Sequence, residues 1–480
     1  MMTTTTRTPL NATRTLALVL GTAALAACSS DKLDITNPNT PTTVAAGADQ
    51  QALQLQATGL LRQLRNGRGG FINDVGRFGR EMYIYSPQEG RNTSHYLQGL
   101  TGQNKIDPAG FAVGVWGTPY GNLRDIFNLK NAAAGSAALT AAQKSAALGF
   151  AKTLEGLELL YVISTRDTLG AVVEIKQDAS DLAAFVSRDS VYKYILNTLD
   201  EGNTALAAGG TAFPFTLHAG FAGFTTPTTF ARFNRAIAGK AAAYYATSGG
   251  GTTAWQRSLT ALTASFLNTA ATTRTDLDAG PFHPYSGATG DASNPFFGNA
   301  AVLYLHPSTT TDAPLKADGS LDNRYLAKVK AKTTGNPGGG VAGISSSIGY
   351  TGDNSNSNPV PIIRNEELML LRAEGLLATG DKAGAITIIN SIRMNSGGLA
   401  ASTLTTASAD AAVLDEILLQ KRYSLLLEGT RWIDMRRYGR LATLPRDVPE
   451  HFVAKVMPIP QGECLVRAGK AGALAGPGCQ

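Results

Sequence analysis

The stretch NEELMLLRAEGLLATGDKAGAITIINSIR, residues 365–393, decides the fold of this 480-residue chain. Two apolar stripes at helical spacing are separated by Gly380 and Asp381, a pair suited to ending one helix and capping the next. Ala373 and Ala385 are small where paired helices must approach each other closely. Larger aliphatic residues would fill the space between the helices, namely Leu376, Ile389 and Ile392. The stretch therefore predicts a helix hairpin of the tetratricopeptide kind.

Apolar residues recur at helical spacing along most of the chain. The predicted helical segments are 48–65, 111–134, 141–164, 189–208, 228–248, 253–267, 364–379, 382–394 and 411–437. Glycine runs at 67–70 and 249–251 predict breaks between helices. Outside residues 365–393 no clean 34-residue repeat is visible, so any further tetratricopeptide-like repeats would have degenerate sequences. We expect a mainly α fold in which tetratricopeptide-like helix hairpins form a scaffold over residues 48–267 and 364–440.

Long loop-rich segments interrupt this scaffold. Residues 71–110 contain Gly, Asn, Pro and several aromatic residues, which indicates loops with one or two short helices. Residues 268–363 are dominated by Pro, Gly, Ser, Asn and Thr, and we expect an irregular insertion there, with short strands such as 301–305. Long loops in compact proteins are usually functional or disordered. The insertion, the scaffold and an irregular C-terminal segment, 441–480, are expected to form one body over residues 48–480.

The N-terminal sequence has the pattern of an export signal. Arg7 and Arg14 precede a short apolar run, LALVLGTAALAAC, which covers residues 16–28. Its end, LAAC, resembles a bacterial lipobox, in which the cysteine is lipidated and the signal is cut before it. We therefore expect a signal peptide at 1–27, a lipidated Cys28 and a polar tether over 28–47. The alternative is an ordinary secretory signal that contains a cysteine by chance.

The composition argues against several classes of function. The formal charge is +6, or +4 without Arg7 and Arg14, and no block of basic residues is present, so nucleic acid is not an expected partner. The five histidines form no metal-binding motif, and no nucleophile-elbow or Walker sequence occurs. Oxygen-rich stretches at 312–322 and 353–358 lack a complete calcium-loop pattern, and solvated turns are the preferred interpretation. No cofactor is expected, and Ca²⁺ bound at either stretch is the alternative.

Two cysteines remain once Cys28 is assigned to lipidation. Cys464 and Cys479 lie near the C-terminus, in a region rich in Gly and Ala. Exported proteins fold in an oxidising compartment, so a disulfide between the two is expected, with two free thiols as the alternative. Such a bond would close a short loop and contribute about 3 kcal/mol in the chain-entropy model.

The C-terminal third carries a family resemblance. The run LDEILLQKRYSLLLEGTRWIDMRRYGRL, residues 414–441, is similar to a run typical of the SusD/RagB family of outer-membrane nutrient-binding lipoproteins. The matching residues are Glu416, Arg422, Glu428, Gly429, Arg431, Trp432, Asp434, Arg437 and Gly439. Residues 114–129, 151–173 and 457–463 also resemble family segments. The chain departs from the family pattern at Glu155-Gly156 and at residues 168–170, which weakens assignment to any particular subgroup.

The resemblance implies a SusD-like fold and a function without covalent chemistry. A protein of this kind would be lipid-anchored in the outer membrane, facing outward. It would bind a nutrient, most commonly an oligosaccharide or polysaccharide, and deliver it to a TonB-dependent, SusC-like barrel. The alternative is a helical-repeat lipoprotein that acts as a scaffold in envelope assembly. A further alternative, an all-helical glycan hydrolase, would require paired carboxylates facing a cleft.

The candidate ligand-binding residues are loop aromatics and the polar residues next to them. Sugar rings stack their C–H faces on aromatic planes, and their hydroxyl groups pair with Arg, Asn and Asp. The candidates are Tyr83, Tyr85, Arg91, Asn92, Tyr96, Phe282, Tyr285, Phe296 and Phe297. The alternative for each aromatic is packing beneath its own loop. Trp116 belongs to a helical stripe and is assigned to the core.

The charged residues of the 414–441 run are interpreted as structural. Arg422, Glu428, Arg431 and Asp434 are spaced so that ion pairs among them are expected. A catalytic pairing of Glu428 with Asp434 would need a cleft and perturbed pKa values.

Overall fold

The computed structural model describes residues 48–86, 88–100, 103–178, 180–332 and 345–479. Ala46–Gln480 form one compact unit. The predicted signal peptide, Cys28 and the tether lie outside the described residues.

The described chain is mainly helical, which confirms the predicted fold class. The helices are α1 Gln50–Phe78, α2 Arg91–Leu97, α3 Gly117–Gly135, α4 Ala141–Arg166, α5 Arg188–Ala207, α6 Pro227–Tyr245, α7 Gly251–Thr263, α8 Arg274–Asp278, α9 Ser308–Thr311, α10 Asn323–Lys328, α11 Asn365–Ala378, α12 Lys382–Asn395, α13 Asp410–Ser424, α14 Arg431–Arg437 and α15 Gln461–Val466.

Successive long helices pack against each other, as expected of helix hairpins. Helices α3 to α7 each contact the next in chain order, and α1 lies against α3. Helix α11 contacts α6 and α7 as well as α12 and α13. It therefore joins the N-terminal helices to the C-terminal ones in one scaffold.

The hairpin of α11 and α12 has the predicted details. Gly380 adopts a φ of 93°, and the side chain of Asp381 caps α12 by accepting a hydrogen bond from the amide of Gly384 at 2.8 Å. Ala373, Ala385, Ile389 and Ile392 are completely buried in one apolar cluster, and Leu376 packs against that cluster. Burial of these aliphatic side chains contributes roughly 1.5–3 kcal/mol for each of the larger ones.

Two predicted helix boundaries are wrong. Helix α1 continues through Gly67–Gly70, and Gly69 serves close packing there, since an added Cβ would lie 2.9 Å from Pro295. The predicted helix 411–437 is instead two helices, α13 and α14. Leu427 and Gly429 between them have φ values of 58° and 76°, a left-handed conformation that no α-helix can continue through.

Short antiparallel strand pairs attach the insertion to the scaffold. The strands are β1 Met82–Ile84, β2 Ala171–Val172, β3 Phe185–Val186, β4 Phe282–His283, β5 Leu303–Leu305, β6 Val329–Ala331, β7 Ile348–Tyr350 and β8 Val360–Pro361. Strand β1 pairs with β5, β2 with β3, β4 with β8 and β6 with β7. The β1–β5 pair joins the first loop-rich segment to the insertion, and β4–β8 joins the two ends of the insertion. The strand expected near 301–305 is thus present as β5.

Candidate functional site

A cavity of about 510 Å³ lies where the insertion meets the C-terminal helices. We call it the insertion cavity. It is lined by Arg274, Asp278, Phe282, Asn323, Arg324, Ala327, Lys328, Pro361, Arg364, Asn395, Ser396 and Glu428. The cavity combines one aromatic ring with amides, a hydroxyl group and charges of both signs, and its volume suits a small ligand or a few sugar units.

Backbone pairing places the aromatic wall of the insertion cavity. Phe282 lies in β4 directly opposite Pro361 of β8. The Phe282 side chain is half-buried, so part of the ring faces the cavity. An aromatic face of this kind can stack against the C–H face of a sugar ring.

A smaller cavity of about 180 Å³ shares Pro361 and Glu428 with the insertion cavity. Its lining includes Phe296 and Tyr350, whose rings meet edge to face at 5.1 Å. Asn294 is held there by a hydrogen bond from its amide to the carbonyl oxygen of Asn358 at 2.8 Å. The shared lining residues make the two cavities neighbours along one surface of the insertion.

A buried ion network fixes the floor of the insertion cavity. Arg364 donates hydrogen bonds to both carboxylate oxygens of Glu428, the shortest at 2.9 and 3.0 Å, and Lys328 donates another at 3.1 Å. Burial alone would raise the pKa of Glu428, but Arg364 and Lys328 outweigh burial and hold the pKa below its usual value. Glu428 is therefore ionised and already paired. This suits a role in holding the side chains of Arg364 and Lys328 in position at the cavity floor.

The polar rim of the insertion cavity comes from three separate segments. Arg274 in α8 donates to Asp278 at 2.7 Å and to the hydroxyl of Ser396 at 3.0 Å. Asn323 accepts a hydrogen bond from Lys316 at 3.1 Å, and Asn395 donates one to Ser391 at 3.2 Å. Among the described contacts, each amide uses one of its two polar atoms, so the other can bind a hydroxyl group.

Most of the predicted aromatic ligands are buried. Tyr83, Tyr85, Tyr96, Tyr285 and Phe296 are exposed by only 1%, 3%, 2%, 6% and 2%. Tyr83 and Tyr85 form a core cluster with Leu97 and Tyr304. The hydroxyl of Tyr96 donates to Asp74 at 2.6 Å, and that of Tyr285 donates to the carbonyl oxygen of Arg65 at 3.1 Å. These rings pack into the protein interior, at odds with the expected ligand surface; Phe296 also lines the smaller of the two cavities described above.

The remaining predicted residues lie apart from one another. Phe297 is 43% exposed and lines neither cavity described above. Arg91 pairs with Glu89 at 2.7 Å, and its guanidinium lies 4.7 Å from the ring centre of Phe111, which is 40% exposed. Asn92 is half-buried next to Arg91. Phe282 is therefore the predicted residue that lines the insertion cavity.

The sequence offered little signal for the other lining residues. Asn323, Lys328 and Asn395 stand in segments of unremarkable polar composition, and only the fold brings α8, α10 and the end of α12 together. Arg364 carries one sequence signal of a site residue, because it is a charged residue at the start of the strongly apolar helix α11.

The expected ion pairs among Arg422, Glu428, Arg431 and Asp434 are absent from the described residues, and each of the four has other partners. Arg422 pairs with Asp312 at 2.6 Å, and Arg431 donates to the carbonyl oxygen of Gly79 at 3.0 Å. Asp434 pairs with Lys421 and Arg437, both at 2.8 Å. Glu428 and Asp434 thus belong to separate networks, so the geometry gives a catalytic pairing of the two carboxylates no support.

The oxygen-rich turns of the insertion are engaged in local contacts. Asp318 accepts hydrogen bonds from the amide and hydroxyl of Ser320, and Asp322 pairs with Arg324. Within the part of the chain that the structure describes, no three His, Cys, Asp or Glu side chains gather as a metal site. None of the helices in the described ranges combines the length and apolar character that crossing a bilayer requires.

Comparison with known proteins relates this chain to one family. Residues 311–465 match the sequence model of the SusD family, which confirms the resemblance found in the C-terminal third. No curated protein matches the chain in sequence.

Solved structures agree with the whole described fold. A SusD superfamily protein from Bacteroides vulgatus has a TM-score of 0.63 at 15% identity, covering 87% of this chain and 97% of its own. NanU from B. fragilis also scores 0.63 at 15% identity, covering 92% and 99%. Surface glycan-binding protein A from Bacteroides thetaiotaomicron, solved with laminarihexaose, scores 0.63 at 13% identity, covering 88% and 99%. At these identities the agreement is one of fold.

Proposed function

We propose that this chain, whose residues 311–465 match the SusD family model, binds an oligosaccharide or polysaccharide in the insertion cavity. The observation that carries the proposal is the lining of that cavity. Phe282 offers a ring for stacking, and Asn323, Asn395 and Arg274 offer hydrogen-bonding groups around it. A neighbour of the same fold, surface glycan-binding protein A, was solved with laminarihexaose. The proposed activity is binding without covalent chemistry, because Glu428 is already neutralised by Arg364 and Lys328.

Retardation in gels that contain a polysaccharide tests glycan binding. The purified protein is run through gels with laminarin, starch, hydroxyethylcellulose, xylan or mannan, each beside a gel without polysaccharide. We expect at least one polysaccharide to slow the protein. Phe282→Ala should weaken that interaction by roughly tenfold, since stacking on an aromatic ring contributes on the order of 1–2 kcal/mol.

Phe297→Ala is the matched control for this experiment. It removes the same ring from the same insertion, at an exposed position that lines neither the insertion cavity nor its smaller neighbour. Its mobility should equal that of the wild type in every gel. Unchanged mobility of the wild type in all five polysaccharides would argue against a glycan ligand. Equal losses of retardation in Phe282→Ala and Phe297→Ala would argue that the glycan binds outside the insertion cavity.

We further propose that the protein is a lipoprotein of the outer membrane, anchored through Cys28 and facing outward. The support is the LAAC sequence that ends the apolar N-terminal run. Metabolic labelling with a palmitate analogue should mark the wild type but not Cys28→Ser. Protease treatment of whole cells should then degrade the protein if it faces outward, and a protected protein would contradict that orientation.

The proposed partner is a TonB-dependent, SusC-like barrel that receives the bound nutrient. The match of residues 311–465 to the SusD family model supports this proposal. Mild-detergent purification of the tagged protein from native outer membranes should recover such a barrel in stoichiometric amount. Recovery of envelope-assembly factors instead would favour the scaffold alternative.

A further inference from the structure

We propose that the helical scaffold carries a second carbohydrate site, which binds another neutral sugar unit of the same glycan; this inference rests on the proposed function. The site is a cavity of about 300 Å³, here called the Tyr120 cavity. It shares no lining residue with the insertion cavity. Its walls come from the start of α3, the segment that follows β2, and α15.

Aromatic and aliphatic groups form the floor of the Tyr120 cavity. The rings of Trp116 and Tyr120 lie 4.6 Å apart, and Phe185 stacks on the far side of the cluster, 5.9 Å from Trp116. The hydroxyl of Tyr120 both donates to the carbonyl oxygen of Val172 and accepts from its amide, at 2.9 Å each. Tyr120 is only partly buried, so its fixed ring can present a face to a ligand.

Two guanidinium groups supply donors at the edge of this floor. Arg124 uses one nitrogen to bind the carbonyl oxygen of Lys176 at 2.7 Å. Arg467, whose side chain is only 3% exposed, binds Glu463 at 2.6 Å and the carbonyl oxygen of Leu474 at 2.9 Å. An arginine carries five N–H donors, so both groups keep donors for a ligand.

The balance of charge indicates the class of ligand. Besides the two arginines, the lining carries three carboxylates, on Glu174, Asp181 and Glu463. Such a lining does not select an anion, whereas the hydroxyl groups of a neutral sugar can donate to the carboxylates and accept from the guanidinium groups. With the aromatic floor, this points to a neutral sugar unit.

The C-terminal disulfide holds one wall of the Tyr120 cavity. Helix α15 contributes Glu463, Arg467 follows its last residue, and Cys464 between them is bonded to Cys479. The guanidinium of Arg467 also lies 4.7 Å from the ring centre of Phe185. Without the disulfide, a short helix followed by a Gly- and Ala-rich tail would keep few constraints, so the second site should depend on oxidation.

Two sites on one chain would favour a polymer over a short oligosaccharide. Once one sugar unit is bound, the second binding event becomes intramolecular, and linked binding commonly exceeds either single affinity by roughly 10²–10⁴. Loss of either site should therefore weaken binding of a polysaccharide strongly.

A plug in the Tyr120 cavity provides the test. Gly117 lines the cavity, and a Cβ added there would meet no atom within 4 Å. Gly117→Phe should therefore fill the cavity without disturbing its neighbours. Gly121, one turn further along the same helix, also has open space around an added Cβ but does not line the cavity, so Gly121→Phe is the matched control.

Both variants are run in the same five polysaccharide gels as the wild type and Phe282→Ala. In each gel that retards the wild type, we expect Gly117→Phe to weaken binding roughly ten- to hundredfold and Gly121→Phe to leave it unchanged. The double variant Cys464→Ser/Cys479→Ser should reproduce the loss seen with Gly117→Phe. Equal thermal midpoints of the two glycine variants show that both are folded.

The outcomes separate this inference from the proposed function. Retardation that depends on Phe282 but is equal in the two glycine variants would overturn the second site and leave glycan binding standing. A wild type that no gel retards would overturn both.

Discussion

At the scale of single residues, the chain places many ionisable side chains in its interior and pairs most of them closely. Glu374 is an example: it accepts from Lys421 at 2.6 Å, from Arg437 at 2.9 Å and from the hydroxyl of Tyr438 at 2.6 Å. Burial would raise its pKa, but Lys421 and Arg437 outweigh burial and lower the pKa to about 2. Such a network is costly to break, since removing one member leaves buried charges unpaired.

Glu374→Gln should lower the free energy of unfolding by about 3–5 kcal/mol, because Lys421 and Arg437 would lose a shared counter-ion in the interior. Urea unfolding at pH 7 measures the change. Glu201→Gln is the control: Glu201 is 62% exposed and pairs with Lys152, so its loss should cost less than about 1 kcal/mol. Equal effects of the two substitutions would contradict the structural role of the network.

Glu158 should make the protein less stable as the pH rises. It is completely buried on α4, and burial raises its pKa from 4.5 to about 8, with Asn122 opposing the shift. Between these two values the folded state holds a proton that the unfolded state has released, so unfolding becomes more favourable with increasing pH.

Glu158→Gln removes this titration. Relative to the wild type, the variant should gain roughly 1.4 kcal/mol per pH unit between pH 4.5 and 8, as measured by urea unfolding at several pH values. Parallel curves for the wild type and Glu158→Gln would mean that Glu158 titrates normally.

At the scale of secondary-structure elements, glycines decide where helices turn and how closely they pack. The turn between α13 and α14 requires a left-handed residue at position 429, and Phe71 of α1 packs against the space where a side chain would be. The same turn aims Glu428 at Arg364 and so shapes the insertion cavity.

Gly429→Ala should destabilise the protein by more than Gly439→Ala. Both glycines have positive φ values, 76° and 67°, so each substitution costs about 1–2 kcal/mol for the left-handed conformation. An added Cβ at 429 would also lie 2.6 Å from Phe71, whereas one at 439 would meet no atom within 4 Å. The close contact should add about 1–3 kcal/mol. Equal urea midpoints for the two variants would contradict this packing.

At the scale of the whole molecule, the insertion is built into the scaffold through strand pairs and buried ion pairs. Strand β5 pairs with β1, and Lys328 within the insertion and Arg364 directly after it share Glu428. These long-range contacts favour cooperative unfolding of the insertion together with the helices.

Unfolding should therefore give one midpoint wherever it is observed. In a Cys28→Ser background, an environment-sensitive dye is attached at Phe297→Cys in the insertion or at Leu55→Cys in α1, both exposed positions. Both dyes and the far-UV circular dichroism signal should report the same urea midpoint. An earlier transition at position 297 alone would show that the insertion unfolds independently.

The sequence by itself determined the helical fold class, the α11–α12 hairpin, the family resemblance and the Cys464–Cys479 disulfide. These features depend on local patterns: apolar spacing, capping residues, a contiguous motif and a pair of cysteines near one end. A break was wrongly predicted at Gly67–Gly70, because a glycine inside a helix looks the same in sequence as one that ends it, and the turn at Leu427 was missed.

Only the tertiary structure decided which side chains form the candidate sites. Phe282 was foreseen, but Asn323, Lys328 and Asn395 come from segments that meet only after folding. Burial likewise removed Tyr83, Tyr85 and Tyr96 from the surface. An aromatic residue in a loop has the same local sequence whether its ring faces solvent or the core, and the choice depends on contacts far away in the chain.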